Sequence, residues 1–514
     1  MAAKRRYVIG VDLGTSATRA GIFDLDGRLL AEASRPVPIV YPAPGQAEQE
    51  MDDFLATAAQ AVAECLQRSG MDPREVAAIA FDSQMAGVGG IDERYQPVMR
   101  FDSWLDMRCE PYIRWLERST GEDLVQITGC AATCDHAPKM LWWKHEQPEV
   151  YDRVARFVMP SAYVAGRLAG LAGEDAYIDY TFLHFTGLAD VQQAEWADRL
   201  LQATGLDRKK LPRIVEPFAV IGEATPGMAG RFGLAPGTLV AAGCGDTAAC
   251  ALGAGIVRPG MLYDTAGTAS VLAACVDRFA PDLVHRALLM MRSVVPGIWH
   301  PLAYIAGGGE ALRWFRDQFF NTSRGQALPP DERLYDLMAE QAAAVPSGSE
   351  GLFFSPHLGG RVCPAAPQMR GAWIGFSWKH TQAHFFRAIL ESVAYEYAYY
   401  LAIIRLLFPG MGFLEARAVG GGARSRLWNE IKAAVLGVPY RRLRRDELGI
   451  WGSALVAAKA AGLVGDLAET AYALSWPEEA LIVPRAADHE RYQPCVRQYI
   501  RWQTVLASEM RYPA

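Results

Sequence analysis

Apolar residues in this chain come in short runs that stop at polar, glycine-containing turns. Residues 7–11 and 20–23 are two such runs around Asp12-Leu13-Gly14-Thr15-Ser16, and the pattern predicts a β-hairpin. It has a partial echo far downstream. Runs at 261–263 and 271–275 flank Asp264-Thr265-Ala266-Gly267-Thr268-Ala269-Ser270. Two copies of one hairpin imply two related halves around one cleft.

The rest of the pattern fits alternating strands and helices. A strand over 29–34 follows the Asp26-Gly27 turn. Phe54, Leu55, Ala58, Ala61, Val62 and Leu66 recur at helical spacing and predict a helix over 49–69. A buried strand over 76–81 runs into Asp82-Ser83-Gln84-Met85-Ala86-Gly87, the kind of strand end where α/β proteins place ligand contacts. Residues 101–108 read as extended, 110–117 as a helix and 130–210 as mainly helical. The Pro- and Gly-rich stretch 212–236 reads as a connector, which sets domains of 1–236 and 237–514. The second half predicts a strand over 238–242 and helices over 248–252, 311–319, part of 322–350, 382–407, 427–436 and 452–461. Its helix 382–407 carries a stripe of Phe386, Leu390, Val393, Tyr397, Tyr400 and Ile404. A last helix over about 488–507 is expected to pack back on the first domain.

Composition narrows the class. At 514 residues the chain exceeds one core. Half its residues are hydrophobic and its net charge is −6, which argues against a nucleic-acid protein. Lys4-Arg5-Arg6 precedes too short an apolar run for a signal peptide, and no run is long enough for a membrane span. Nine scattered cysteines suit a reducing compartment. These features predict a cytoplasmic protein. Cys130, Cys134 and His136 sit close together but match no zinc spacing, so free thiols are the expectation.

Candidate chemistry gathers at the turns. Gly-Thr tips leave backbone amides and hydroxyls bare, an anion nest. An Asp just before such a nest repels phosphate unless a cation stands between them. Asp12 therefore reads as a Mg²⁺ group or as a plain turn aspartate. Asp246, in Gly243-Cys244-Gly245-Asp246-Thr247, reads as a helix N-cap or as a base taking a substrate hydroxyl proton during phosphoryl transfer. Trp104, Asp106 and Arg108 alternate, so on an extended segment they share one face suited to a polyhydroxylated ligand; the alternative is a surface ion pair beside a core Trp. Gly420-Gly421-Gly422-Ala423-Arg424-Ser425 joins a strand to a helix N-terminus, which suits a nucleotide.

With these motifs in order, the chain resembles the FGGY carbohydrate kinases of the actin-like ATPase superfamily. The resemblance rests on the two hairpins, Trp104-Leu105-Asp106-Met107-Arg108, Pro138-Lys139-Met140-Leu141-Trp142, the Asp246 segment and the 420–429 loop. It implies an α/β fold of two ribonuclease-H-like domains flanking a cleft. It implies ATP and Mg²⁺ as cofactors, Asp246 as general base and Asp12 with Asp246 at the metal. Gly14, Thr15, Ser16, Arg19, Gly267 and Thr268 would line the phosphates. Gly308, Gly309, Gly421, Gly422, Ala423, Ser425 and Asn429 would form the adenosine side. Gln84, Met85, Trp104, Asp106, Arg108 and Thr247 would face the sugar. The partner implied is a small sugar, with no nucleic acid and no membrane, and a homodimer is compatible with it. Within the family the chain looks most like the xylulokinase branch, making D-xylulose the leading acceptor. It departs at Ala86 and Thr247, where that branch usually has His and Asn, and at Ser161-Ala162, where a Lys-Asp pair is common. Another ketose or polyol, such as ribulose or erythritol, is the alternative acceptor. The alternative class is a nucleotide-gated binding protein.

Overall fold

The computed structural model describes residues 6–267, 269–320 and 331–510. Two sheets organise it. The first runs Val220–Glu223, Leu239–Ala241, Val76–Ser83, Tyr7–Leu13, Ala17–Asp24, Leu29–Pro36, with Cys244–Gly245 also on Val76–Ser83. The second runs Leu289–Arg292, Trp299–Ile305, Ser270–Ala274, Met261–Ala266, Glu415–Val419, Tyr440–Leu443, Pro477–Ile482. The plan repeats. In each, an antiparallel hairpin is followed by a strand parallel to its first member, then a second parallel strand, then an antiparallel edge. Val76–Ser83 is buried along its whole length, as a strand covered on both faces must be.

The periodic helices form as their stripes predict. Met51–Ser69 buries Phe54, Leu55, Ala58, Ala61, Val62 and Leu66. Gln382–Leu407 buries all six stripe residues.

Three expectations need correction. The first sheet does not end at 236, because Leu239–Ala241 pairs with Val76–Ser83. The presumed connector 212–236 supplies an edge strand, Val220–Glu223, and a helix, Pro226–Phe232. Residues 130–210 are not mainly helical. Between the helices Pro160–Ala169 and Asp198–Thr204 lie short strands and the 3₁₀ turn Tyr180–Phe185. The last helix, Ala486–Glu509, packs on Gln382–Leu407 and Arg426–Leu436 of its own half.

The helix that does return to the first sheet is Leu448–Ala460, lying on Tyr7–Leu13 and Val76–Ser83. Small residues allow this approach. A β-carbon at Gly10 would sit 1.8 Å from the Ile450 carbonyl oxygen, and one at Gly452 would sit 1.9 Å from that of Ala249. The helix expected within 322–350 is present. It is Asp331–Ala343, and 321–330 lie outside the described residues.

Candidate active site

Two apolar strands end side by side on aspartates. Tyr7–Leu13 and Val76–Ser83 are parallel and in register, with Asp12 opposite Asp82. Neighbours in register present side chains to the same face. Asp82 is fully buried; Ser453 Oγ donates to its Oδ2 at 2.7 Å, while Oδ1 meets no donor among the described residues. Burial raises both acids, Asp82 far more, and their contact lowers Asp12 while raising Asp82. Arg19, exposed and opposite Asp12 across the hairpin, pulls Asp12 down further. Asp12 lies within a strand, so the plain turn role does not apply.

Asp246 completes the group. Gly245 is the cap residue and Asp246 the first of the helix Asp246–Gly253, so the N-cap alternative is not realised. Its Oδ1 accepts from the Thr247 amide at 2.5 Å and the Thr247 hydroxyl at 3.1 Å. Burial first, and the Asp12 charge second, push its pKa up to about 7. Sequence reasoning missed Asp82 as a site residue. The available signal was an aspartate closing a wholly apolar strand.

A cavity of about 170 Å³ opens beside Asp246. Gln84, Met85, Ala86, Trp104, Asp246 and Thr247 line one side. Val271, Met291, Leu302 and Tyr304 of the second sheet line the other, with His184 and Phe185 from the 3₁₀ turn between them. The cavity thus spans both halves. Trp104 Nε1 donates to Thr15 Oγ1 at 2.9 Å, tying this wall to the first hairpin tip. Gln84 is held by Gln49, whose Oε1 accepts from Gln84 Nε2 at 2.7 Å, and by Ser103 Oγ at 3.2 Å. Ala86 has a left-handed φ of 58° and presents only a methyl group.

Asp106 and Arg108 do not share a face with Trp104. The segment after Phe101–Asp102 turns rather than extends, leaving Trp104 41% exposed and Asp106 fully buried. Both Asp106 oxygens are used by Arg108 and the Ala47 amide. Arg108 also pairs with Glu48 at 2.6 Å and lies over Trp142. Neither residue borders the cavity, so their placement on the sugar is corrected to an internal clamp. Lys139, fully buried, holds the same turn through Asp102 at 3.0 Å and the Ser103 and Asp106 carbonyls, each at 2.8 Å.

On the second hairpin three glycine segments converge. A β-carbon at Gly309 would lie 1.7 Å from the Gly267 carbonyl oxygen, and one at Gly422 would lie 2.6 Å from Ala266 Cβ. Gly308 packs against Ser270, and Gly421 is exposed beside them. Ser425 caps Arg426–Leu436, and Asn429 Nδ2 donates to the Ala423 carbonyl at 2.8 Å. Thr268 lies outside the described residues. In the first hairpin, Gly14 N donates to the Ala17 carbonyl and Ser16 is exposed at the tip. The echo aspartate differs from Asp12. Asp264 is buried against Lys432 at 2.7 Å and accepts from Tyr397 Oη at 3.0 Å. The cation beside the second turn is an ammonium group.

Among the described residues no three His, Cys, Asp or Glu side chains could hold a metal alone. Mg²⁺ ordinarily takes one or two carboxylates and completes its shell with water and phosphate. The carboxylate of Asp12, in register with Asp82, fits that demand. All nine cysteines are free, Cys130 and Cys134 included. No helix among the described residues is long and apolar enough to cross a membrane.

Paired sheets of identical plan, with carboxylates and glycine loops at the seam, define a two-domain enzyme of the actin-like, ribonuclease-H-like architecture. Comparison with known families agrees: the N-terminal domain of the FGGY family of carbohydrate kinases matches residues 7–253 and its C-terminal domain matches 262–461. The chain belongs to that family. Xylulose kinase of Bacillus subtilis (strain 168) is 27% identical over 490 residues, covering 95% of each chain. Gluconokinase of the same organism is 26% identical over 436 residues, covering 84% of this chain and 82% of that one. The crystal structure of xylulose kinase from Rhodospirillum rubrum superposes with a TM-score of 0.87 at 26% identity, covering 98% and 100%.

Proposed function

We propose that this carbohydrate kinase transfers the γ-phosphoryl group of ATP to a ketose hydroxyl, with D-xylulose the first candidate acceptor and D-xylulose 5-phosphate the product. The observation that carries it is Asp246: its carboxylate borders a cavity walled by both halves and reaches a pKa of about 7. A base poised there takes the acceptor hydroxyl proton as that oxygen attacks. Gln84, Met85, Trp104 and Thr247 hold the sugar. Gly14, Thr15, Ser16, Arg19, Gly267 and Thr268 hold the phosphates, and Gly308, Gly309, Gly421, Gly422, Ala423, Ser425 and Asn429 the adenosine side. Asp12 and Asp246 would hold Mg²⁺, which supplies charge neutralisation for the phosphates. Similarity over 95% of the chain to a xylulose kinase supports D-xylulose as the first acceptor to assay.

The test is a coupled ADP-release screen across pentuloses, hexuloses, glycerol, tetritols and gluconate. D-Xylulose is expected to give the highest kcat/KM. ATP hydrolysis indifferent to every acceptor would instead favour a nucleotide-gated binding protein. The nucleotide side has its own test. Gly309→Ala forces the Gly267 turn to move, an overpacking effect of about 1–3 kcal/mol. The KM for ATP should rise at least several-fold with that for sugar little changed; an unaltered KM for ATP would remove Gly309 from the nucleotide loop.

A further inference from the structure

The wall that the second half gives to the cavity is tied to the first half along one seam. Val271, Met291, Leu302 and Tyr304 come from three neighbouring strands, Ser270–Ala274, Trp299–Ile305 and the edge strand Leu289–Arg292. An edge strand leaves one row of backbone groups unpaired within its own sheet. Here that row meets the first half: the Met290 amide donates to the Gly129 carbonyl at 2.9 Å. Gly129 has a left-handed φ of 70°, and a β-carbon there would sit 2.5 Å from Met290 Cβ, so only glycine permits this approach.

Side chains reinforce the seam from both directions. Arg292 Nη1 donates to the Val191 carbonyl at 2.9 Å and to the Gln192 carbonyl at 3.1 Å. The guanidinium carbon lies 4.7 Å from the ring centroid of Tyr180 in the first half and 5.0 Å from that of Trp299 in the second. Tyr180 Oη in turn donates to the Val294 carbonyl at 2.9 Å. These bonds all cross between the halves, and none uses a residue of the glycine loops. The chain enters the cavity on both sides of this clamp. Met291 directly precedes Arg292, and His184 and Phe185 end the 3₁₀ turn that Tyr180 opens. Met291 and Leu302 have no side-chain donor of their own with which to hold on to the first half.

We propose that Arg292 is a positioning residue for the acceptor: by clamping the edge strand Leu289–Arg292 to the first half, it holds the far wall of the cavity against the acceptor and keeps water out. The inference rests on the sugar-kinase reading above. Loosening the clamp has two linked consequences. The acceptor is held less tightly, and water reaches the site and attacks the γ-phosphorus in its place, releasing ADP and inorganic phosphate.

The test uses the purified full-length protein with Mg-ATP and D-xylulose, or the acceptor ranked first in the screen above. Arg292→Met keeps an unbranched apolar side chain between the two rings and removes the donors. It should raise the KM for the acceptor by about tenfold, the worth of a hydrogen bond from a charged group, with the KM for ATP within about twofold of the parent. Sugar phosphate formed per ADP released should fall below the parent ratio. A residue that only supported the fold would shift both KM values together and leave that ratio intact. Arg292→Lys restores a cationic donor and should recover part of the loss. Tyr180→Phe removes one O–H from the same seam and should shift the acceptor KM in the same direction by a few-fold. A folded Arg292→Met enzyme with unaltered acceptor KM and ratio overturns the proposal, as does an equal rise in both KM values. Should that variant not fold, an unaltered acceptor KM in Tyr180→Phe overturns it instead. A parent enzyme that phosphorylates no acceptor while still binding ATP overturns the kinase reading itself, and this inference with it.

Discussion

Asp246→Asn is expected to lower kcat by about 10²–10⁴-fold, the usual worth of a positioned general base. The amide keeps the shape of the carboxyl but cannot take a proton. The glycine loops proposed for the nucleotide lie on the second hairpin and Asp12 keeps its carboxylate for Mg²⁺, so nucleotide binding should survive. Parent and variant compared by single-turnover phosphorylation and by nucleotide titration separate the two effects. Retained turnover would remove Asp246 from the chemistry. The pH dependence follows from the same residue. A carboxyl with a pKa of about 7 holds its proton below that pH and cannot accept another, so the parent kcat/KM for the sugar should rise with pH through 7. Stability runs the other way. The folded pKa lies above the ordinary 3.8, so the contribution of Asp246 to stability is fully present below pH 3.8 and is lost as pH rises through 7. Thermal melts at pH 8 should therefore find the inactive Asn variant slightly more stable than its parent.

Lys432→Met should destabilise the fold by about 3–5 kcal/mol, the cost of breaking a buried ion pair by removing one partner. Both members of the Lys432–Asp264 pair are fully buried at 2.7 Å, and burial lowers the Lys432 pKa against the pull of Asp264. The ammonium also lies 4.0 Å from the Trp428 ring centroid, and Tyr397 supplies the other hydrogen bond to Asp264. Methionine fills the volume and leaves a carboxylate in the core without its cation. Asp264→Asn combined with Lys432→Met removes the charge as well and should recover much of the loss in urea unfolding. A single variant as stable as the parent would mean that water reaches this pair.

The Asp12 and Asp264 turns show where sequence reading reaches its limit. Both hairpins are legible from apolar runs that stop at Asp and Gly-Thr, because a strand's alternation and a glycine tip are local properties. The fate of each aspartate is not local. Asp12 meets Asp82, seventy residues on, and Asp264 meets Lys432, far along the chain. The alternation of Trp104, Asp106 and Arg108 misled for a related reason: Lys139, from a distant helix, binds the carbonyls that bend that segment into a turn.

From the order of residues alone come the duplicated α/β plan, the buried helix stripes and the glycine loops, set by short-range periodicity and turn chemistry, whereas the resemblance to a family singled out Asp246 as the base. Tertiary structure alone decided which strands close the first sheet, which helix crosses back to it, which charges neutralise one another and what walls the cavity. Those outcomes depend on burial and on partners tens to hundreds of residues apart, and the energy of a buried charge is set by what stands next to it in space.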